Sequence, residues 1–226
     1  MGTSNWQNIS YCVNLIRKIN PESILDIGAG FGRWGILCRE FLEVWDGGNY
    51  SGKWDRKINA VEIFDNYLKP YHNYFYNNIY KQNATDYFKE NKEQYDLIIF
   101  GDVIEHFEKQ VAEKLIEDSL AVSKYILINI PIGKNWEQGI ENDNIYETHK
   151  SVWYYSDFRK YKNYKIKKFK DYTYRKFGVI LISKSKINLN SEYKKKYGKY
   201  FFIKSYMSNK LHLSWLTYIL SKKTNA

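Results

Sequence analysis

"SILDIGAGFG" at residues 23–32 joins an apolar run of strand length to a turn that contains Gly28, Gly30 and Gly32. A segment of helical period follows the turn at once. Glycines at such a place let the backbone turn tightly and come close to a ligand. A strand, a glycine turn and a helix in this order predict one β–α unit of a parallel sheet.

The same alternation extends in both directions from this unit. Helical patterns cover residues 8–19 and 34–44, and after residue 160 the pattern changes to two successive strands within "YKIKKFKDYTYRKFGVILIS". The sequence therefore predicts an α/β fold with a doubly wound, mostly parallel, seven-stranded Rossmann-like sheet that an antiparallel strand pair closes. The other predicted strands lie at residues 58–63, 78–83, 95–102 and 124–131.

Length and composition favour one domain at residues 1–185, followed by a basic, aromatic and helical extension at 186–226. No apolar run approaches the roughly 18 residues of a membrane span, and residues 1–10 lack the basic and apolar regions of a signal peptide. Cys12 and Cys38 are too few for a disulfide framework and are expected in the core. These features predict a cytoplasmic protein, with peripheral membrane contact left open.

Charge is divided unevenly along the chain. Residues 1–150 hold 16 Lys and Arg against 22 Asp and Glu, whereas residues 151–226 hold 19 against 3. So basic a segment favours contact with nucleic acid, an anionic membrane surface or a phosphate-bearing substrate, but a solvated face is an equal alternative. The aromatic stretch 200–220 is compatible with a helix docked on the fold, a membrane-interface helix or an RNA-stacking surface.

The glycine turn does not suit a phosphate clamp. Arg33 stands where a dinucleotide fingerprint needs its third glycine, and Asp26 just before the turn would repel an anion and attract a cation or an amino group. Glu62 ends the next strand, 32 residues after Gly30. A carboxylate there is expected to accept hydrogen bonds from both hydroxyls of a ribose.

Four segments together, "LDIGAGFG", "VEI", "QNATDYF" and "YDLIIFGDVIEHF", resemble class I S-adenosylmethionine-dependent methyltransferases over roughly residues 20–150. "DVIEH" is most similar to the branch that contains the ubiquinone-biosynthesis and small-RNA 3′-end O-methyltransferases. The resemblance implies S-adenosyl-L-methionine as cofactor. It also implies a set of cofactor-binding residues: Asp26, Gly28 and Gly30 at the methionine end, Glu62 on the ribose, and Ile63, Asn83 and Ala84 around the adenine. Asp102 departs from the family, which usually begins this motif with Glu, and facing the methionine amino group is the alternative for this shorter side chain.

"DVIEH" places Asp102, Glu105 and His106 at a spacing that predicts one face of a helix's first turn. Asp102 as N-cap with Glu105 three residues on would be a capping box without function, although capping does not explain His106. The resemblance implies that these three residues and His149 bind a divalent cation, for which Mg²⁺, Mn²⁺ and Fe²⁺ suit the donors. His106, His149 or Asp102 acting in proton transfer is the alternative.

The sequence thus predicts an O-methyltransferase for a hydroxyl of a small molecule or sugar. The acceptor is expected to bear a phosphate, as a nucleotide- or lipid-linked glycan of polysaccharide biosynthesis does. The methyl group of a sulfonium is already activated, so the protein must mainly hold the nucleophile in line and remove its proton. The alternatives are an RNA 2′-O-methyltransferase, to which the basic segment points, and a cofactor-binding scaffold without catalysis.

Overall fold

The structure, a computed structural model, describes residues 5–141 and 143–189. The chain divides into two compact units, one of residues 1–17 and 21–187 and the other of residues 18–20 and 188–226. The architecture below is that of the first unit. The predicted amphipathic helix at 200–220 lies outside the described residues, and the predicted domain boundary at residue 185 stays a prediction.

A seven-stranded sheet with the order β3-β2-β1-β4-β5-β7-β6 forms the centre of the fold. Strands β1 to β5 are parallel, and β7 runs antiparallel between β5 and β6. The predicted doubly wound sheet with a final antiparallel pair is confirmed. The strands are β1 (Ser23–Ile27), β2 (Lys57–Val61), β3 (Asn78–Tyr80), β4 (Tyr95–Gly101), β5 (Ser123–Ile132), β6 (Asn163–Lys170) and β7 (Lys176–Ser183).

One helix precedes β1, and the others lie between successive parallel strands. They are α1 (Ile9–Ile19), α2 (Arg33–Cys38), α3 (His72–Phe75), α4 (Ala84–Glu90) and α5 (Lys109–Ala121). The predicted helix at 34–44 is α2 continued by a π-helix at Arg39–Trp45. Within the described part of the chain, no helix combines the length and the apolarity that a bilayer crossing requires.

The central strands are mostly apolar because both faces of the sheet are covered. Leu25 and Ile27 of β1 pack with Ile98 of β4 and with helices α4 and α5 on one face. Asp26 lies between those two residues on β1, so its side chain points to the opposite face. Full burial of one such aliphatic side chain stabilises the fold by about 1.5–3 kcal/mol.

The segment after β4 differs from the prediction. Asp102 has a positive φ of 55°, a single 3-10 turn covers Ile104–His106, and α5 begins only at Lys109 with Glu108 as its N-cap. Because α5 begins at Lys109 and has Glu108 as its N-cap, Asp102 and Glu105 form no capping box on α5. The predicted helical first turn at 102–106 is therefore wrong.

Candidate active site

A cavity of about 360 Å³ opens at the carboxyl ends of the parallel strands, where the strand order reverses between β1 and β4. This switch point is the usual ligand site of a doubly wound sheet, and the volume lies in the range of small-molecule sites. Most residues of the predicted cofactor and metal sites line it: Gly28, Gly30, Glu62, Ile63, Asn83, Ala84, Asp102, Glu105, His106 and His149.

Glu62 is fixed at the floor of this cavity by two backbone amides. Its Oε2 accepts a hydrogen bond from the Gly30 amide at 2.9 Å, and its Oε1 accepts one from the Phe64 amide at 2.8 Å. The side chain is almost fully buried, and burial raises its pKa. A carboxylate offers about four lone pairs, so each oxygen retains capacity for one further donor, such as a hydroxyl of a bound sugar.

Two adjacent amide side chains lie where β3 leads into α4. Asn83 is the N-cap of α4, and its Oδ1 accepts hydrogen bonds from the amide and the hydroxyl of Thr85 at 3.0 and 2.9 Å. Gln82 also lines the cavity, and its Nε2 is buried without a hydrogen-bond partner. The prediction missed Gln82, whose only signal was its place beside Asn83 in "QNATDYF".

Glu105, His106 and His149 converge on one point of the wall. One possible ligand atom from each lies within 4.8 Å of the others, and the two imidazole centroids are 5.0 Å apart. Glu105 is fully buried, and its Oε2 has no hydrogen-bond partner. Burial, together with the nearby Asp102 charge, raises the pKa of Glu105 well above its usual value.

Asp102 is the predicted fourth member that lies outside this group. Its left-handed backbone follows Gly101, and its Oδ2 accepts a hydrogen bond from the Asn5 amide at 3.3 Å. The four-residue ligand set expected from "DVIEH" and His149 is therefore reduced to three residues. Asp102 still lines the cavity, close to the glycine turn.

His149 comes from the loop at 133–152, which is anchored directly to the other two members of the group. The amides of Lys150 and Ser151 donate to the Glu105 carbonyl at 2.8 and 3.1 Å. His106 Nδ1 lies 3.3 Å from the Thr148 carbonyl. These bonds hold residues 148–151 against the 3-10 turn after β4.

The protonated nitrogen of each imidazole follows from these contacts. His106 Nδ1 faces the Thr148 carbonyl, and His149 Nδ1 lies 2.5 Å from the Trp136 carbonyl. Because a carbonyl only accepts, each Nδ1 acts as the donor, and in the neutral form of the ring the free lone pair is then on Nε2. Burial lowers the pKa of His149, with a further contribution from His106. Neutral imidazole with a free Nε2 is the form that binds a metal or accepts a proton.

Tyr67 links the two sides of the cavity. Its hydroxyl donates to Glu147 Oε1 at 2.6 Å, and so joins the turn after β2 to the loop that carries His149. Burial and the Glu147 hydrogen bond raise the pKa of Tyr67 to about 12, so the phenol is neutral and remains a donor at physiological pH. No pattern in the sequence indicated this contact.

No protein-family model matches the sequence, and no curated protein matches it at a significant level. Solved structures match well. A methyltransferase dependent on S-adenosylmethionine from Archaeoglobus fulgidus is 16% identical, with a TM-score of 0.51 over 77% of this chain and 94% of that one. The N-terminal domain of EvdMO1, solved with S-adenosylhomocysteine and D-fucose, is 11% identical, with a TM-score of 0.55 over 81% and 85%.

An O-methyltransferase family protein from Burkholderia thailandensis is 10% identical, with a TM-score of 0.51 over 79% of this chain and 57% of that one. The strand order and the similarity to these structures both indicate the same fold. The chain has the class I methyltransferase fold.

One residue predicted to bind the cofactor, Asp26, lies outside the cavity of this class I methyltransferase fold. Asp26 does not line the cavity, because β1 turns its side chain to the opposite face of the sheet. There its Oδ2 accepts a hydrogen bond from the Tyr76 hydroxyl at 2.5 Å, and burial raises its pKa to about 7. The expected contact between Asp26 and the methionine end stays a prediction.

The cavity of this class I methyltransferase fold contains three buried polar atoms without hydrogen-bond partners among the described residues. They are Trp34 Nε1, Gln82 Nε2 and Glu105 Oε2, two donors and one acceptor. An unpaired buried polar group costs about 1–3 kcal/mol, so such groups usually meet a ligand, an ion or water. Their clustering fits a cavity built for a polar ligand.

Proposed function

We propose that the protein is a class I S-adenosylmethionine-dependent O-methyltransferase that acts on a hydroxyl of a small molecule or sugar in the cytosol. The main support for this proposal is that the fixed carboxylate of Glu62 and the group of Glu105, His106 and His149 line one cavity. The first suits the sugar of an adenosine, and the second suits the deprotonation of an acceptor hydroxyl. The cofactors named for the similar structures support the same donor.

On the cofactor side, S-adenosylmethionine would supply a methyl group already activated by its sulfonium. Glu62 would accept hydrogen bonds from the ribose, and Ile63 and Ala84 would flank the adenine. Gln82 offers an unpaired amide donor to the edge of the base, a role that Asn83 meets less well because its Oδ1 caps α4. Orientation of donor and acceptor by these contacts is worth about 7–11 kcal/mol in effective-molarity terms.

On the acceptor side, the cavity charges favour a neutral hydroxyl group. The acidic lining residues outnumber Arg33 and Lys150 and would repel a phosphate close to the transferred methyl. A phosphate further from the reacting hydroxyl, as in a nucleotide- or lipid-linked glycan, would instead lie towards the basic β6–β7 hairpin. The D-fucose named with EvdMO1 supports a sugar acceptor. The acidic lining residues are Glu62, Asp102, Glu105, Glu141 and Glu147.

The Glu105, His106 and His149 group fits a divalent cation. It offers one unpaired buried oxygen and two imidazole nitrogens, a donor set that suits Mn²⁺ or Fe²⁺ and is less typical of Mg²⁺. A bound cation would lower the pKa of an acceptor hydroxyl. Without one, neutral His149 or His106 would accept that proton through its free Nε2.

Calorimetry with S-adenosylmethionine, followed by methyl transfer to pooled nucleotide sugars, glycolipids or RNA, tests the proposal. Binding and transfer to a sugar pool are expected. Transfer to RNA alone would favour the 2′-O-methyltransferase, and binding without any transfer, with or without Mn²⁺, would favour a scaffold.

Chelation tests the cation separately. If the group binds a metal, activity should vanish with a chelator and return with Mn²⁺ or Fe²⁺. Turnover that is insensitive to the chelator would contradict the metal and leave His106 and His149 as candidate bases.

A further inference from the structure

Trp136 lies between the proposed site and a surface hairpin. Its carbonyl faces His149 Nδ1 at 2.5 Å, and its indole Nε1 donates to the Lys176 carbonyl at 2.8 Å. The Arg175 guanidinium lies over the indole ring, 4.0 Å from its centroid. One residue thus contacts a site histidine with its backbone and the start of β7 with its side chain.

The hairpin end of this connection is itself rigidly built. Arg175 Nε donates to Asp171 Oδ2 at 2.9 Å, and Asp171 Oδ1 accepts from the amides of Thr173 and Arg175 at 2.9 Å each. Asp171 is buried, and these bonds lower its pKa, so the carboxylate remains charged. The turn between β6 and β7 therefore holds Arg175 in place over Trp136.

The loop is also closed near His149. The His149 amide donates to the Gln138 carbonyl at 3.0 Å, and Gln138 Nε2 donates to the Glu147 carbonyl at 2.9 Å. Residues 136–138 and 147–149 are thus paired. The carbonyl that accepts the His149 proton belongs to Trp136, so any displacement of Trp136 also displaces this acceptor. An imidazole prefers Nε2–H in water, so an acceptor at Nδ1 is what keeps Nε2 free.

We infer that Trp136, held by Arg175 of the β6–β7 turn, is a positioning residue that fixes His149 in its Nδ1–H tautomer, so that Nε2 is the nitrogen His149 contributes to its group with Glu105 and His106. The role in catalysis rests on the proposed function. The tautomer itself does not, because it is a property of the free protein.

Long-range ¹⁵N–¹H correlation spectra of the full-length protein, at a pH where imidazoles are neutral, report this tautomer directly. The four histidines give few signals, and His149→Gln assigns the one needed. Wild type should show His149 as Nδ1–H. Arg175→Gln removes the cation from the indole without touching the loop, and Trp136→Ala removes the whole anchor. Both should give a mixture with the Nε2–H form.

Two variants serve as controls. Arg175→Lys keeps a cation near the ring and should largely restore the wild-type spectrum. Lys170→Gln removes a cation of the same hairpin that lies over Tyr174 instead, and should leave His149 unchanged. If Trp136→Ala does not fold, Trp136→Phe, which loses only the indole donor, and Arg175→Gln decide the matter.

Titration with Mn²⁺ alone gives a second readout. Loss of a partner that orients a ligating histidine typically weakens metal affinity 10–100-fold, and Arg175→Gln should weaken Mn²⁺ binding about tenfold. The inference is overturned if wild-type His149 is Nε2–H, or if the Trp136 and Arg175 variants keep the wild-type tautomer. A protein that shows the tautomer shift but binds no Mn²⁺ and transfers no methyl group would refute the proposed function and leave the inference standing.

Discussion

At the level of single residues, Asp26 determines a pH dependence of stability. Burial raises its pKa from 3.8 to about 7, against the opposing effect of the Tyr76 hydrogen bond. Because the folded-state pKa lies above the unfolded one, the folded protein binds an extra proton between these values. Its free energy of unfolding should therefore fall by roughly 4 kcal/mol as the pH rises from about 4 to about 7.

Asp26→Asn keeps an acceptor for the Tyr76 hydroxyl and has no charge to lose. We expect the variant to match the wild type near pH 4 and to be more stable above pH 7. Urea unfolding of both proteins at about pH 4.5 and 7.5 measures the difference. Equal pH slopes in the two proteins would show that Asp26 ionises as freely in the folded state as in water.

Glu62 is the residue on which cofactor affinity should depend most. Glu62→Ala removes the proposed charged hydrogen bonds to the ribose, together with the observed bonds to the Gly30 and Phe64 amides. Binding of S-adenosylmethionine should weaken by about 1–3 kcal/mol, measured by calorimetry.

Glu141→Ala is the matched control, because Glu141 lines the same cavity but is exposed. Its binding affinity should change by less than about 0.5 kcal/mol. Unchanged affinity in Glu62→Ala would contradict the assignment of the ribose contact.

At the level of elements, the glycine turn after β1 restricts the packing of the segment after β4. Gly28 has a φ of +69°, and a Cβ added there would lie 2.6 Å from Val103 Cγ2. Gly28→Ala should destabilise the fold by roughly 2–5 kcal/mol, because a left-handed alanine costs about 1–2 kcal/mol and overpacking about 1–3 kcal/mol.

Gly48→Ala separates these two costs. Gly48 has a similar φ of +66°, with nothing within 4 Å of the added Cβ, so only the conformational cost should appear. Thermal or urea unfolding compares the two variants, and Gly28→Ala combined with Val103→Ala should recover part of the difference. Equal losses at Gly28 and Gly48 would mean that Val103 moves aside without cost.

The sheet was predictable because each strand is marked by the apolar pattern of its own residues. The runs at 23–28 and 95–102 are mostly apolar, as is typical of buried parallel strands, and the glycine turn fixes the crossing into α2. The conformation of Asp102 was not predictable, since aspartate adopts a positive φ only in certain contexts. α5 begins only at Lys109, and Asp102 is not one of the three residues whose possible ligand atoms lie together.

Contacts between loops that lie far apart in the chain could not be predicted from the sequence either. Tyr67 and Glu147 are 80 positions apart, and Trp136 supports His149 through its backbone carbonyl, which any residue possesses. Neither contact leaves a local pattern. The place of His149 in the candidate site was predictable only through the resemblance. Its tautomer could be inferred only from the structure.

At the level of the whole molecule, the basic charge of the last third lies partly beside the cavity. Residues 151–187 hold 11 Lys and Arg against two Asp. Lys176 pairs with Ile132 at the carboxyl end of β5, so the β6–β7 turn lies at the same edge of the sheet as the cavity. Exposed Lys168 and Lys170 precede that turn on β6.

This placement predicts a salt-dependent Michaelis constant for an acceptor that bears a phosphate. Reversing both charges with Lys168→Glu and Lys170→Glu should raise KM several-fold at about 0.05 M salt and leave kcat unchanged, because these residues lie outside the cavity lining. At about 0.5 M salt the difference should shrink, since the screening length falls to a few ångströms. A neutral acceptor should show no such change.

Lys184→Glu with Lys186→Glu makes the same change in net charge at the opposite edge of the sheet, where β7 ends beside Tyr125. If charge acts locally, this pair should leave KM close to that of the wild type. Equal effects of the two pairs would mean that the acceptor responds to net charge alone. No effect of either pair would remove the hairpin from acceptor recognition and favour an acceptor without phosphate, which the acidic cavity already accommodates.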